Sequence, residues 1–201
     1  MSGTFFALIA RMKNITRWSL MRNSAPENVQ EHSHIVAVIA HALAVIRRDV
    51  FGMDADPGGA AAAALFHDAS EIFTGDLPTP IKYFDPDIMT AYKRVESVAS
   101  RKLLSALPAE MRSAYKPLLA PDADDSAIPL VRAADKLAAY IKCLEELKAG
   151  NLEFSPAARQ SRAKLDALGM REVDYFIERF IPAFELSLDD MDFSFEDDSG
   201  S

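Results

Sequence analysis

The chain is poor in cysteine: Cys143 is the only one in 201 residues. No intrachain disulfide can form, and a reducing, cytoplasmic setting is expected. A secretory leader is not expected either, because the early apolar run Phe5 to Ala10 is short, has no charged segment before it, and is followed by Arg11 and Lys13. No apolar stretch reaches the roughly 18 residues of a bilayer span, so no membrane partner is expected. A glycine-rich phosphate loop is lacking, since no Lys-Ser/Thr pair follows Gly58-Gly59. Basic clusters are lacking too. Most of the net charge of −8 comes from Asp189, Asp190, Asp192, Glu196, Asp197 and Asp198. The remainder is near neutral, which argues against a surface that tracks a nucleic-acid backbone. Residues 189–201 are expected to be an acidic, disordered tail on one domain spanning residues 1–188.

What is present is helical punctuation. Apolar positions recur every three or four residues, and no segment alternates long enough to suggest a strand. Asn28 opens an expected helix running to about Arg48. Asp56-Pro57 opens a second, expected to pass without interruption through Phe66-His67-Asp68-Ala69-Ser70-Glu71 and to stop at a left-handed cap near Gly75. Asp85-Pro86 opens a long helix to about Leu107, and Pro108 a shorter one. A further helix covers about 127–149, Ser155-Pro156 starts another, and a last one covers about 171–188, kinked at Pro182. The expected fold is an all-α, single-domain helical bundle.

Helix geometry sorts the four histidines. At about 100° per residue, His32 shares the core stripe of Val36, Ile39, Leu43 and Ile46, while His34 and His41 lie roughly on the opposite side. Alone, His32 reads more readily as a satisfied core histidine than as a ligand. His67-Asp68 follows a run of alanines, among them Ala60, Ala63 and Ala64, which let a neighbouring helix come close. An ionisable pair in such surroundings is costly unless compensated, and a divalent cation would compensate it, as would an exposed position at the helix end. Glu71 projects over the same patch, where a general base for an attacking water belongs. Asp135 shares a face with Val131, Ala134, Ala138 and Ala139, so its carboxylate is expected to point to the apolar side and to need a metal or a distant arginine. Arg17 beside Trp18 fits a phosphate group; Trp18 fits the core equally well.

The ordered set His32, His67-Asp68 and Asp135 resembles the HD superfamily of metal-dependent phosphohydrolases. A longer set of segments is similar to the bacterial 5′-deoxynucleotidase family: Arg17-Trp18, Glu27-Asn28-Val29 through Ser33, Phe66 to Glu71, Thr74 to Phe84, Asp135-Lys136-Leu137, Lys142 to Leu147 and Asp174-Tyr175-Phe176. That resemblance implies an HD-type bundle that removes the phosphate from deoxyribonucleoside 5′-monophosphates. It implies one divalent metal, cobalt or manganese, on His32, His67, Asp68 and Asp135, with His32, Asp68 and Asp135 also beside the substrate. Glu71 would assist the water and Arg17 would hold the phosphate. Trp18 and the loop Asp76, Leu77, Pro78 and Thr79 would lie against the sugar, and the enzyme would be a homodimer. The rival readings are a related phosphodiesterase or polyphosphate hydrolase, and a catalytically silent nucleotide-binding module.

Overall fold

In the computed structural model, which describes residues 3–78, 81 and 85–191, the chain folds into helices packed around one central helix, with no strand among the described residues. The helices are α1 (Phe5–Ile9), α2 (Val29–Val45), α3 (Pro57–Phe66), α4 (Glu71–Thr74), α5 (Pro86–Ser105), α6 (Arg112–Leu119), α7 (Ala127–Lys148), α8 (Ser155–Asp166) and α9 (Arg171–Phe180).

α2 is the centre, packed between α3 and α7, with α9 beyond it. Val36, Ile39, Ala40 and Leu43 of α2 meet Ala60 and Ala64 of α3 and Leu130, Ala134, Leu137 and Ile141 of α7, all buried. The alanines allow α3 to lie close against α2. From Val29 to Val50 the chain is long and apolar enough to cross a membrane, contrary to the sequence expectation. Its apolar side is the packing core of this bundle. A second cluster of Phe5, Ala69, Leu103, Leu107 and Leu119 ties α1 and α5 under α6. A small third one, Cys143, Phe154 and Ala158, lies beneath Trp18 and Met21.

Three helix starts are where the sequence places them. Asn28 Oδ1 accepts the N–H groups of Gln30 and Glu31, both at 3.0 Å, while Glu31 accepts that of Asn28, a reciprocal cap that fixes the register of α2. Asp56 precedes Pro57 at α3, and Asp85 precedes Pro86 at α5 and caps Asp87.

Four expectations need correction. α3 does not run through to Gly75: it stops at Phe66, and residues 67–70 form tight turns before α4. Gly75, at φ 70° and ψ 168°, is not a left-handed cap but lies in a region open essentially to glycine alone. The last helix ends at Phe180 rather than kinking at Pro182, and Ile181–Glu185 continue as a tighter 3₁₀ turn, because Pro182 has no N–H to extend the ladder. Pro108 starts only a 3₁₀ turn, and the helix proper begins at Arg112. At the C-terminus, Leu188–Asp190 form a turn capped by Ser187 where the expected tail begins; residues 192–201 lie outside the described residues.

Candidate metal centre and active site

The cap at Asn28 places His32 one turn into α2, where the core stripe carries it fully out of solvent. His34 and His41 are exposed, as their angle requires. The turns after α3 place the second group. Ala69 N–H bonds Phe66 O at 3.0 Å, Glu71 N–H bonds Asp68 O at 2.9 Å and Phe73 N–H bonds Ser70 O at 3.1 Å. This three-residue spacing replaces the four-residue ladder. His67 Nδ1 caps the broken end, 2.7 Å from Ala64 O.

These local choices bring His32, His67 and Asp135 together, with one potential ligand atom of each within 4.8 Å of the others. Their rings and carboxylate come from α2, the turn after α3 and α7. His32 Nε2 is 3.0 Å from Asp135 Oδ1, and the two histidine rings are 5.5 Å apart. Asp68 lies alongside rather than within that mutual set: its Oδ2 is 3.1 Å from His67 Nε2 and 3.7 Å from His32 Nε2. Asp135 departs from expectation, since its side chain is 41% exposed and stands at the mouth of the site. The helical angle gives its direction correctly, but the end of that side chain remains open to solvent.

Hydrogen bonding tests whether a cation fits. Ala64 O can only accept, so His67 Nδ1 carries the proton and Nε2 offers a lone pair. That Nε2 is buried without a hydrogen-bond partner, although Asp68 Oδ2 stands in front of it. Two lone pairs face each other there, an arrangement that needs a proton or a metal between them. Without a metal the proton is favoured. Burial opposes the charged ring, but the charge and hydrogen bond of Asp68, with Asp135 beyond, hold His67 protonated up to about 9. Asp68 is correspondingly held well below the usual carboxylate range; burial would raise it, and His67, His32 and Arg17 outweigh that effect.

Arg17 and Glu71 flank the group. Arg17 is mostly buried; its Nη1 is 3.5 Å from Asp68 Oδ2 and its Nε donates to Glu27 Oε2 at 3.1 Å. Glu71 is buried with Oε2 unpartnered. Burial, then the nearby Asp68 and Asp76 carboxylates, push its carboxyl up to about 9. Asp76 accepts the backbone N–H of Trp18 and feels the charges of Arg17 and Asp68, so it belongs to the same neighbourhood. Leu77 and Pro78 are half-buried beyond it, and Thr79 lies outside the described residues.

Trp18 is packed as a core residue would be. Its ring packs on Phe154, centroids 5.3 Å apart, and its indole N–H donates to Glu27 at 3.0 Å. Its backbone is left-handed at φ 57°, an unfavourable state for a bulky residue. That reversal sends Arg17 toward the carboxylates and Trp18 toward α8. Glu27, which receives both side chains, stands in one of the family-like segments, but the sequence assigns it no role because it lies on a segment with no periodicity.

Residues 4–184 match the family described as 5′-deoxynucleotidase YfbR-like. The chain belongs to that family. It is 50% identical over 190 residues to the 5′-deoxynucleotidase of Vibrio cholerae, covering 93% of this chain and 97% of that one. It is also 50% identical over 188 residues to the 5′-deoxynucleotidase YfbR of Escherichia coli, covering 93% and 94%. This member of the YfbR-like family is a phosphomonoester hydrolase of deoxyribonucleoside 5′-monophosphates. Its fold is shared with an HD-domain phosphohydrolase of Listeria innocua, at a TM-score of 0.77 and 24% identity over 90% of this chain and 88% of that one. It is shared too with the cyanophage S-2L HD phosphohydrolase DatZ, solved with dA and one catalytic Zn2+, at a TM-score of 0.62 and 20% identity over 90% and 99%.

Proposed function

We propose that His32, His67, Asp68 and Asp135 hold one divalent cation and that Arg17 and Glu71 work beside it on the 5′-phosphate of a deoxyribonucleoside monophosphate. The observation that carries this is the unpartnered His67 Nε2 facing Asp68, with Nδ1 committed to Ala64 O. Two imidazoles with two carboxylates suit a borderline-to-hard cation, and cobalt or manganese is the proposed metal. The Zn2+ and dA bound by DatZ support a reading with one divalent ion and a deoxynucleoside ligand. When bound, the cation supplies positive charge against the phosphate dianion, makes water a better nucleophile, and lowers the pKa of neighbouring acids.

The side chains divide the remaining work. The guanidinium of Arg17 faces the carboxylates with Nη1, and its planar fork matches two phosphate oxygens. Glu71 Oε2 is the free carboxyl oxygen that takes the proton of the attacking water and returns it to the 5′-oxygen as the P–O bond breaks. The products are a deoxynucleoside and inorganic phosphate. Asp76, Leu77, Pro78, Thr79 and Trp18 are proposed to border the sugar, with His32, Asp68 and Asp135 also in contact with the substrate.

The enzyme is further proposed to be cytoplasmic and a homodimer. The exposed Ile88, Val95 and Val98 on α5 support a second copy as a neighbour. The deciding experiment is metal analysis of protein purified without added metal, together with phosphate release from mono-, di- and triphosphates and from diesters. One ion per chain and release confined to deoxyribonucleoside monophosphates are expected. Equal turnover of triphosphates or diesters would overturn the substrate reading.

A further inference from the structure

The segment between residues 15 and 28 is an arm. It leaves the bundle after the 3₁₀ turn Ala10–Asn14 and returns at the Asn28 cap. Its neck is closed by Arg17 N–H to Glu27 O and Val29 N–H to Ile15 O, both 2.9 Å. Arg17, Trp18 and Glu27 sit at that neck. Within the arm, Trp18 O accepts from Met21 N–H at 2.9 Å and from Asn23 Nδ2 at 3.3 Å.

The far end of the arm closes on a buried acid. Glu146 of α7 is 1% exposed, and its carboxylate takes Ser24 N–H at 2.8 Å, Ser24 Oγ at 2.6 Å, Ala25 N–H at 3.2 Å and Asn151 Nδ2 at 2.8 Å, with Lys142 Nζ on the other side. Lys142, also buried, donates to Ala25 O as well, and Asn151 donates to Arg22 O at 2.7 Å. Taking a lysine and a glutamate out of water is expensive, and replacing such a pair by apolar residues is often neutral or stabilising. Helix formation does not require the pair. What it holds is the arm.

Helix geometry connects this latch to the metal centre. Lys142 and Glu146 lie seven and eleven residues after Asp135, so at about 100° per residue all three fall within roughly 20° of one line along α7. One face of one helix presents Asp135 at the site and, about 16 Å further along, the carboxylate that fastens the arm. We propose that Glu146, paired with Lys142, is a positioning residue for catalysis: it latches the arm so that Arg17 and Trp18 are held at a fixed distance from the Asp135 end of the same helix. This rests on the proposed roles of Arg17 and Trp18. The left-handed Trp18 is consistent with it, since such a backbone persists only where surrounding bonds over-determine it.

The test uses Lys142→Met/Glu146→Leu, which removes the latch and leaves no buried charge behind. Trp18 is the only tryptophan, so its emission reports the arm directly. The expected result is a red-shifted emission, one metal retained per chain, and a kcat/KM for dAMP lower by about 10²-fold, the scale of a small misplacement. In an Arg17→Ala background the same double substitution should reduce kcat/KM far less, because both changes disable one contact. Ser24→Ala, at an exposed position, should move emission and kcat/KM in the same direction by a smaller factor and serves if the double variant does not fold. Unshifted emission with wild-type kinetics, or losses that multiply with Arg17→Ala, would overturn the proposal. Wild-type kinetics for Arg17→Ala alone would instead remove the role given to Arg17, and the emission would still decide whether the latch sets the arm.

Discussion

Arg17 Nη1 stands 3.5 Å from Asp68 Oδ2, so the guanidinium already faces the carboxylates before any phosphate arrives. It is held there by Glu27 and only slightly exposed, with little freedom left to lose on binding. Arg17→Ala is therefore expected to lower kcat/KM about 10²–10³-fold, as removal of a preorganised donor does, for every deoxynucleotide alike. Steady-state kinetics with dAMP and a second deoxynucleotide check this; a loss confined to one base would assign Arg17 to base recognition.

The histidines separate by face. His67→Ala should release the metal and, by loss of ligand linkage, lower the melting temperature of the metal-loaded protein to that of the metal-free one. His34→Ala and His41→Ala, both at exposed positions, should leave metal content unchanged. Metal analysis of the three variants is the measurement, and equal loss in all three would contradict the ligand assignment.

Glu71 is buried and carries one unpartnered oxygen, but it is not proposed as a ligand. Glu71→Gln should keep the metal and reduce kcat by about 10²–10⁴-fold, with KM little changed. Near-normal turnover would return Glu71 to a structural role.

Trp18 ties selectivity to stability. Trp18→Ala removes the packing on Phe154 and the bond to Glu27, so a lower melting temperature is expected. If the indole also borders the sugar, the preference for dAMP over AMP should narrow in the same variant. A folded variant with an unaltered dAMP to AMP ratio would confine Trp18 to packing.

The metal-free protein should show a distinctive pH dependence. His67 in the folded chain keeps its proton up to about 9, against about 6.5 when unfolded. Glu71 keeps its proton up to about 9 as well, against about 4.3. Between pH about 6.5 and 9 the native state thus binds more protons than the unfolded one, and stability falls as pH rises through that window. Saturating metal replaces the His67 proton, so the loaded protein should show a much flatter profile. Denaturant midpoints at pH 6.5 and 9, with and without metal, test this; parallel profiles would mean that the metal does not engage His67.

Much of this molecule follows from local rules. Asn28, Asp56-Pro57 and Asp85-Pro86 fix three helix starts because capping and proline geometry act within a single turn. The burial of His32 and the exposure of His34 and His41 follow from helical angle alone. The order of His32, His67-Asp68 and Asp135 indicates the HD superfamily, and the longer segments around them, above all Phe66 to Phe84, indicate the family and its chemistry. Other features were decided only in three dimensions. The break after Phe66 depends on His67 capping Ala64 O while the turn is held against α2 and α7, a competition that apolar spacing does not encode. Asp135 is half-exposed although its own helix face is apolar, because the packing around the end of its side chain is not set by that face. Glu27 gathers Arg17 and Trp18 from ten and nine positions away, and Glu146 reaches Ser24 across 122. Lys142 and Glu146 stand in one of the family-like segments, but the partner that makes the pair worth burying comes from a distant part of the chain. Hydrogen bonds of that kind have no period, and only the packed chain brings their ends together.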